Sequence, residues 1–270
     1  MNDLNPLEVR LVEACRNGIP LICEPGASQS IRAEIIRTLC LGLRSDWPAP
    51  RGVTIKNAII VGQLDLEDAD ISNRLILEQC VLDGGINLQF ASALLISLEG
   101  CKLGPVLATR VFVKHNLILA KAHVRDKLEL RQAVIEGQLF ANDLKIEGQV
   151  GKFAIWGDGI RVEGDIFLHR CEIRGEIRLP GAQIGGNLEF DGAKLDNPQL
   201  DDPNRFALNL ERLTVGGSVF LRFDGKSRQS FRCAGQVRLL GGRIGDELNC
   251  AGAAIENVSS RGNGDPLALT

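Results

Sequence analysis

The stretch from 62 to 103 constrains the fold most, because it repeats one short pattern of apolar residues. Apolar residues two apart are typical of a β-strand with one buried face. The pairs return every five or six residues, which indicates very short strands between sharp corners. Equivalent positions, such as Leu82, Leu103 and Val124, return after about 21 residues, and such a period predicts a solenoid. Four pairs fill each period, which predicts four faces: Leu64/Leu66, Ala69/Ile71, Leu75/Leu77 and Cys80/Leu82, then Ile86/Leu88, Ala91/Ala93, Ile96/Leu98 and Cys101/Leu103.

Composition agrees with a narrow aliphatic core and bounds the possible functions. The 270 residues include 30 Gly, two Trp and no Tyr, and stacked aliphatic rows need few large rings. The net charge of −3 argues against a general nucleic-acid binder. There is no N-terminal signal pattern and no apolar run long enough to cross a bilayer. We therefore expect a cytoplasmic location, with membrane association only as part of a longer protein.

The eight cysteines are predicted to be reduced core residues rather than disulfides or metal ligands. Cys80, Cys101 and Cys171 stand where other repeats place Ala, and Cys80 and Cys101 are one period apart, which stacks them in adjacent coils. No C-x-x-C pair is present. The three histidines, His115, His123 and His169, show no zinc-like spacing with the cysteines, so we predict no metal site.

Residues 1–50 do not follow the repeat and are predicted to form a helical N-terminal cap. Leu7, Leu11, Ala14 and Cys15 have helical spacing, with Gly18 as a stop. A second helix is expected from Ser30, as N-cap, onward, with an apolar stripe formed by Ile31, Ile35, Ile36, Leu39 and Leu43. A solenoid needs such a cover because its end exposes an unpaired strand edge.

Residues 51–270 are predicted to form the solenoid, with excursions near 149–159, 196–206, 224–232 and 258–270. The segments 175–197 and 235–257 share ten of 23 positions, which indicates a larger duplicated unit. After the second copy the repeat does not continue. We therefore expect the C-terminal end, beside Leu248 and Ile255, either to meet a partner or further coils, or to be covered by residues 258–270.

The pentads ADISN, CVLDG, AVIEG, AQIGG, AKLDN and AAIEN resemble the A-(N/D)-L-x-x unit of pentapeptide-repeat proteins. The resemblance implies a right-handed quadrilateral parallel β-helix with the small and aliphatic residues inward. Together with the cap, the expected fold is an all-β solenoid of this type with an N-terminal α-helical cap. IRAEIIRTLCLG, GVTIKNAIIVGQLDL and GQVRLLGGRIGDELNCAGA are also similar to bacterial repeat proteins of unknown function, some loosely labelled membrane-associated oxidoreductases.

No motif of cofactor chemistry supports that label. GDGIRVEG and GAQIGG fall in repeat corners and precede no helix, so we predict no nucleotide cofactor. Carboxylates cluster on one coil at Asp65, Glu67 and Asp70, but they alternate with core residues and are expected to point into solvent. Paired acids could still act on a sugar, so a carbohydrate-active β-helix enzyme is the alternative function.

Six cations follow between 110 and 131: Arg110, Lys114, Lys121, Arg125, Lys127 and Arg131. With Asp65, Glu67 and Asp70 they form the candidate interaction surface, for a protein partner or for self-association. A second alternative, a DNA-mimicking pentapeptide-repeat protein, needs a continuous acidic strip, which this basic band interrupts. The function expected from the sequence is a non-catalytic interaction or scaffold module, with no catalytic residues and no nucleic-acid partner.

Overall fold

The computed structural model describes residues 4–26, 30–198 and 205–256, and these contain two helices and 34 strands. The strands pair in parallel in sheets of 16, ten and eight strands. The largest sheet covers two neighbouring faces, because the long strands Asp70–Glu78 and Ser92–Ser97 bend from one face to the next. The chain therefore coils around four faces, which confirms the predicted all-β solenoid with a helical cap.

Along the chain, each coil runs through the first, second, third and fourth faces in turn. The first face contains Leu64–Asp65, Ile86–Asn87, Val106–Leu107, Leu128–Glu129, Phe153–Trp156, Glu176–Arg178, Phe206–Asn209 and Gln236–Arg238. The second begins with the first halves of the two long strands and continues with Phe112–Val113, Val134–Ile135, Arg161–Val162, Gln183–Ile184, Thr214–Val215 and Arg243–Ile244.

The third and fourth faces complete each coil. The third contains Leu21–Ile22, Val53–Lys56, the second halves of the long strands, Leu117–Ile118, Leu139–Phe140, Ile166–Phe167, Leu188–Glu189, Val219–Phe220 and Leu248–Asn249. The fourth contains Ser30–Arg32, Ile59–Val61, Val81–Leu82, Lys102–Leu103, His123–Val124, Lys145–Glu147, Glu172–Arg174, Lys194–Asp196, Arg232–Ala234 and Ala254–Glu256.

The core is a set of stacked aliphatic rows inside the coil. The predicted inward residues are buried; Leu66 and Leu77, for example, are both 0% exposed. Cys80 and Cys101 are also fully buried, and the backbone N–H of Cys80 donates to Cys101 Sγ at 3.4 Å. This contact confirms that the two thiols stack in adjacent coils. All eight cysteines are free.

The described excursions lie at corners, and residues 199–204 of the excursion predicted at 196–206 lie outside the described residues. The first-face strands after two of the excursions have a register shift, between Phe153 and Ile155 and between Phe206 and Leu208. Leu128 pairs with Ile155, which is further along the chain than the usual period, because 148–152 adds residues between the fourth and first faces. The interruption predicted at 149–159 is therefore too long, since Phe153–Trp156 is already a strand of the first face. The similarity between 175–197 and 235–257 corresponds to two coils, as Ile177 pairs with Leu208 and Leu208 with Val237.

The N-terminal segment combines helices with strands. The first helix, Pro6–Asn17, has a capping box between Asn5 and Glu8 and ends at Gly18 in the left-handed conformation, as predicted. Hydrogen bonds from Arg32 hold the pKa of the buried Glu8 at about 2, and they join this helix to the first strand of the fourth face.

The second predicted helix is shorter than expected. It spans Ala33–Cys40, while Ser30 belongs to a strand that pairs with Ile59–Val61 instead of capping the helix. Leu43 lies beyond the helix end and is exposed. The reason is that Ser30–Arg32 adds a strand to the edge of the fourth face. The backbone hydrogen bonds formed there outweigh the preference of Ser30 for a helix N-cap position.

Two kinds of corner demand special backbone geometry. Lys121 has φ 57° at the corner where the preceding coil has Gly100 with φ 65°. At the corner between the second and third faces, a Cβ on Gly216 would lie 2.2 Å from the carbonyl oxygen of Gly185. The second corner therefore requires glycine because the coils approach closely, whereas the first tolerates a side chain at a cost in strain.

The last described coil is less buried than those before it. Val237 is fully buried, whereas Leu248 is 38% exposed and Ile255 is half-buried. The predicted cover by residues 258–270 lies outside the described residues. Neither described helix is long and apolar enough to span a membrane.

Candidate functional site

The first face carries a row of outward-pointing side chains that differ in charge from one coil to the next. Glu129 pairs with Trp156, and Trp156 pairs with Arg178, so the three residues occupy successive coils at one register position. Their inward neighbours, such as Leu128 and Ile155, belong to the core. The alternation of the strand therefore places an acid, an aromatic ring and a base side by side on a flat surface.

Two aromatic rings form the centre of this row. The Phe153 and Trp156 rings are 4.9 Å apart between centroids and tilted by 49°. The Arg131 guanidinium lies 4.1 Å from the centre of the Trp156 ring, and that of Arg178 lies 5.7 Å from the centre of Phe153. Phe153 is 38% exposed. The guanidinium contacts hold the rings in place on the surface.

Glu129 anchors the cations beside the rings. Its carboxylate accepts hydrogen bonds from Thr109 Oγ1 at 2.9 Å, Lys127 Nζ at 3.2 Å and Arg131 Nε at 2.9 Å. Burial of Glu129 acts to raise its pKa, but the bonds from Arg131, Thr109 and Lys127 together lower it. Glu129 is therefore a fixed negative charge that orients Arg131 over Trp156.

Glu176, two coils further along the same face, has the opposite electrostatic environment. Burial raises its pKa to about 7, against the smaller lowering effects of Arg178 and Asn209. The nearest Arg178 nitrogen is 3.9 Å from its Oε1, because Arg178 is engaged by Asp158 at 2.9 Å. The face thus carries one carboxylate kept ionised and one carboxyl group that titrates near neutral pH.

A groove of about 330 Å³ opens beside the rings. The corner 148–152 forms one wall, and the groove is lined by Asp126, Lys127, Gln149, Lys152, Phe153 and Trp156. We call it the Trp156 groove. Trp156 Nε1 is buried without a hydrogen-bond partner in the described part of the chain. Within the same residues Lys152 has no ion pair, so the groove offers a free cation and an aromatic wall.

A larger depression of about 530 Å³ lies on the fourth face, but its charges compensate one another. Lys194 Nζ is 3.0 Å from Glu172 Oε1, and Arg174 Nε is 3.7 Å from Asp196 Oδ2. Its floor is made by buried residues such as Ile173. It has no exposed aromatic ring in its lining. The Trp156 groove is chemically the more specific of the two.

The six predicted cations are distributed around the whole circumference, because residues 110 to 131 make one complete coil. Lys127 and Arg131 lie on the first face beside the groove. The others lie at other corners or faces, and most have partners: Arg110 Nε donates to Gln132 at 2.6 Å, Lys121 is 3.5 Å from Glu99, and Arg125 is 2.8 Å from Asp83. Lys114 follows the strand Phe112–Val113 of the second face.

The three predicted acids point into solvent, as expected from their alternation with core residues. Asp65 and Glu67 share the Asn87 amide, at 3.0 and 3.2 Å, on the first face near the N-terminal cap. Asp70 accepts a hydrogen bond from Ser92 at 2.9 Å on the second face. These acids therefore do not join the cations in a single patch.

Glu129, Trp156 and Glu176 are not among the site residues predicted from the sequence. In the sequence Glu129 is only an exception within the basic band, and Trp156 lies in a stretch assigned to an excursion. One signal is available: Phe153 and Trp156 are large rings in a chain whose core rows are mainly aliphatic. Large rings outside the aliphatic rows indicate a surface role.

The arrangement suits binding of a ligand that offers an apolar group to the rings and a negative group to Lys152. It also contains two carboxyl groups with separated pKa values, a pattern found at acid–base sites. Comparison with family models, with curated proteins and with solved structures finds no match for this chain.

Proposed function

We propose that the protein is a non-catalytic interaction module, a rigid β-helix that binds a protein partner through the Trp156 groove. The observation that carries this proposal is the partly exposed ring pair, Phe153 and Trp156, held between Arg131 and Arg178. Trp and Arg are the residues that most often dominate the binding energy of protein interfaces. A ring already fixed in place loses little conformational entropy when a partner binds.

The charges of the groove residues also favour one kind of partner. Glu129 forms ion pairs with Lys127 and Arg131, and Asp158 forms one with Arg178. The charges of these three cations are therefore neutralised within the protein. Lys152 remains available for a carboxylate. We therefore infer a partner segment with an apolar side chain for the ring wall and an acidic residue close to it.

The test is site-specific photo-cross-linking in the full-length protein in its host. A photoreactive amino acid at Gln149, which lines the groove and leaves Lys152 in place, is expected to capture one protein, whereas the same group at the exposed Lys226, at a different corner, captures none. Trp156→Ala in the Gln149 background should abolish the cross-link, and Phe112→Ala, which removes an exposed ring of the second face, should preserve it. Mass spectrometry distinguishes a second copy of the chain from another protein.

Equal capture at both positions, or capture that survives Trp156→Ala, would contradict the proposal. Thermal unfolding of both alanine variants must remain within a few degrees of the wild type, so that loss of the cross-link reports the groove.

A second candidate function, carbohydrate cleavage, is favoured by the opposite pKa shifts of Glu129 and Glu176 on one face. In such a reaction Glu176, protonated near neutral pH, would act as general acid. The test is release of reducing ends from a panel of neutral and acidic polysaccharides. Activity that is lost in Glu176→Gln and kept in Asp65→Asn supports this candidate, and no release from any polysaccharide refutes it.

The repeat type and the compartment are also proposals. Small residues alternate with aliphatic ones on short faces, as at Ala133 and Ile135, which supports a pentapeptide-like repeat. Eight free thiols support a reducing compartment such as the cytoplasm. Fractionation of host cells, followed by detection of the protein in soluble and membrane fractions, tests the second point.

A further inference from the structure

Three metal-ligating side chains converge on the third face, opposite the Trp156 groove. The donor atoms of His169, Glu189 and Asp191 all lie within 4.8 Å of one another. Phe167 pairs with Glu189, and His169 and Asp191 each follow two residues later, so all three point outward from two adjacent coils. The rigid pairing of the coils therefore sets the spacing of the donors.

Each donor is oriented by a second contact. His169 Nε2 is 2.7 Å from Glu189 Oε2, and the imidazole meets the Phe167 ring edge-on at 5.8 Å. Asn187 Nδ2 donates to the other oxygen of Glu189 at 3.3 Å. The contacts from Phe167 and Asn187 come from outside the cluster and are typical of metal ligands, whose orientation they fix. The direct His169–Glu189 contact joins two of the donors, and a bound ion would take its place.

Asp191 is held by Arg222, whose Nε and terminal nitrogen lie 3.0 and 2.7 Å from the two carboxylate oxygens. The guanidinium also stacks on Phe220, with 3.7 Å between its carbon and the ring centre. Each carboxylate oxygen keeps a second lone pair for a cation. With a neutral imidazole, two carboxylates and one guanidinium, the cluster carries a net charge of −1, which favours a divalent cation.

We propose that His169, Glu189 and Asp191 bind a first-row divalent transition metal, with Zn²⁺ as the reference ion. One imidazole and two carboxylates suit such ions, and three protein donors leave coordination positions for water. Ca²⁺ prefers six to eight oxygen ligands and Mg²⁺ an octahedral oxygen shell, so neither fits this set. The spacing of histidine and cysteine in the sequence does not predict this site, because the partners of His169 are two carboxylates in the next coil.

The experiment is calorimetric titration of the full-length, reduced protein with Zn²⁺, with Co²⁺ absorption as a second readout. We expect one site per chain, a visible Co²⁺ spectrum, a rise in melting temperature with Zn²⁺, and no comparable effect of Ca²⁺ or Mg²⁺. His169→Ala and Glu189→Gln should each weaken binding by about tenfold or more.

The matched control is His123→Ala. His123 Nε2 lies 2.9 Å from Glu147 Oε1 on the fourth face, but no third ligand accompanies this pair among the described clusters. This variant should bind Zn²⁺ as the wild type does. Binding that is unchanged in His169→Ala and Glu189→Gln, or absent at millimolar Zn²⁺, would overturn the proposal. Melting curves without metal confirm that the variants are folded.

Discussion

Glu176 and Asn209 face each other across adjacent coils, with Asn209 Nδ2 3.5 Å from Glu176 Oε1 and both residues buried. This hydrogen bond is long, and the nearest Arg178 nitrogen lies still further from the same carboxyl oxygen, at 3.9 Å. It does not offset the cost of burying a negative charge, which is why the pKa of Glu176 rises to about 7.

The first prediction concerns pH and Glu176. Because its pKa is higher in the folded protein than in the unfolded chain, its contribution to stability is fully present below about pH 4.5 and is lost as the pH rises through about 7. Glu176→Gln removes this dependence. We expect the variant to gain about 1–3 kcal/mol over the wild type between pH 4.5 and 8, measured by urea unfolding. A constant difference over this range would contradict the assignment.

The second prediction concerns the thiols. Cys40 and Cys250 are half-buried, while the other six cysteines are buried. Burial raises the pKa of Cys40 and of Cys233 to about 12, which keeps both thiols protonated and slow to react. A thiol reagent should therefore label Cys250 first and Cys40 next, and should label the double variant Cys40→Ala/Cys250→Ala only after unfolding. Rapid labelling of Cys80 in the native protein would show that the inward register is wrong there.

The third prediction compares two leucines on one face. Leu130 is 1% exposed in the core, whereas Leu107 is half-buried on the outer side. Leu130→Ala should cost about 2–5 kcal/mol, and Leu107→Ala about 1 kcal/mol or less, in the free energy of unfolding. Equal effects would argue against the inward and outward rows.

The fourth prediction concerns the corners. A Cβ at Gly216 would collide with the Gly185 carbonyl at 2.2 Å, so Gly216→Ala should lower stability by about 2 kcal/mol or more. Lys121→Gly relieves a left-handed conformation and sacrifices only an exposed ion pair with Glu99, so it should raise stability by about 1 kcal/mol. Denaturant unfolding measures both, and a stabilised Gly216→Ala variant would refute the close approach.

The fifth prediction concerns the cap. Deletion of residues 1–50 removes the strands that pair with Val53–Lys56 and Ile59–Val61, and exposes the buried Ile55 and Ile60. We expect aggregation, detected by light scattering, because an open strand edge pairs with other chains. A monomeric 51–270 protein with unchanged melting behaviour would show that the segment is not a cap.

The fold was largely predictable because the core rows depend on local alternation. Leu128 and Leu130 show the strand period directly, and most coils repeat it. The repeat period does not predict the strand Phe153–Trp156, because the corner before it lengthens the coil. Its pairing with Leu128–Glu129 therefore occurs at a longer sequence separation than the period. Sequence spacing alone does not distinguish a long corner from a break in the solenoid.

The candidate site was less predictable because its properties depend on contacts between coils. The pKa of Glu129 depends on Thr109, one coil earlier, and the pKa of Glu176 on burial beside Asn209, one coil later. The outward direction of Asp65 and Glu67 followed from alternation, but their separation from Arg125 and Lys121 did not. A run of like charges that spans one full coil looks continuous in sequence and is dispersed in space.

The corner excursions have a consequence for the spacing of surface groups. A coil lengthened by an excursion adds the same rise as a short coil, because each coil contributes one strand to each face, about 4.8 Å. Trp156 and Arg238 are three strands apart on the first face, roughly 14 Å, although several coils and their excursions separate them in sequence. Side chains at one register position of a face are therefore spaced by whole multiples of this rise. A partner that contacts several of them must present groups with the same spacing.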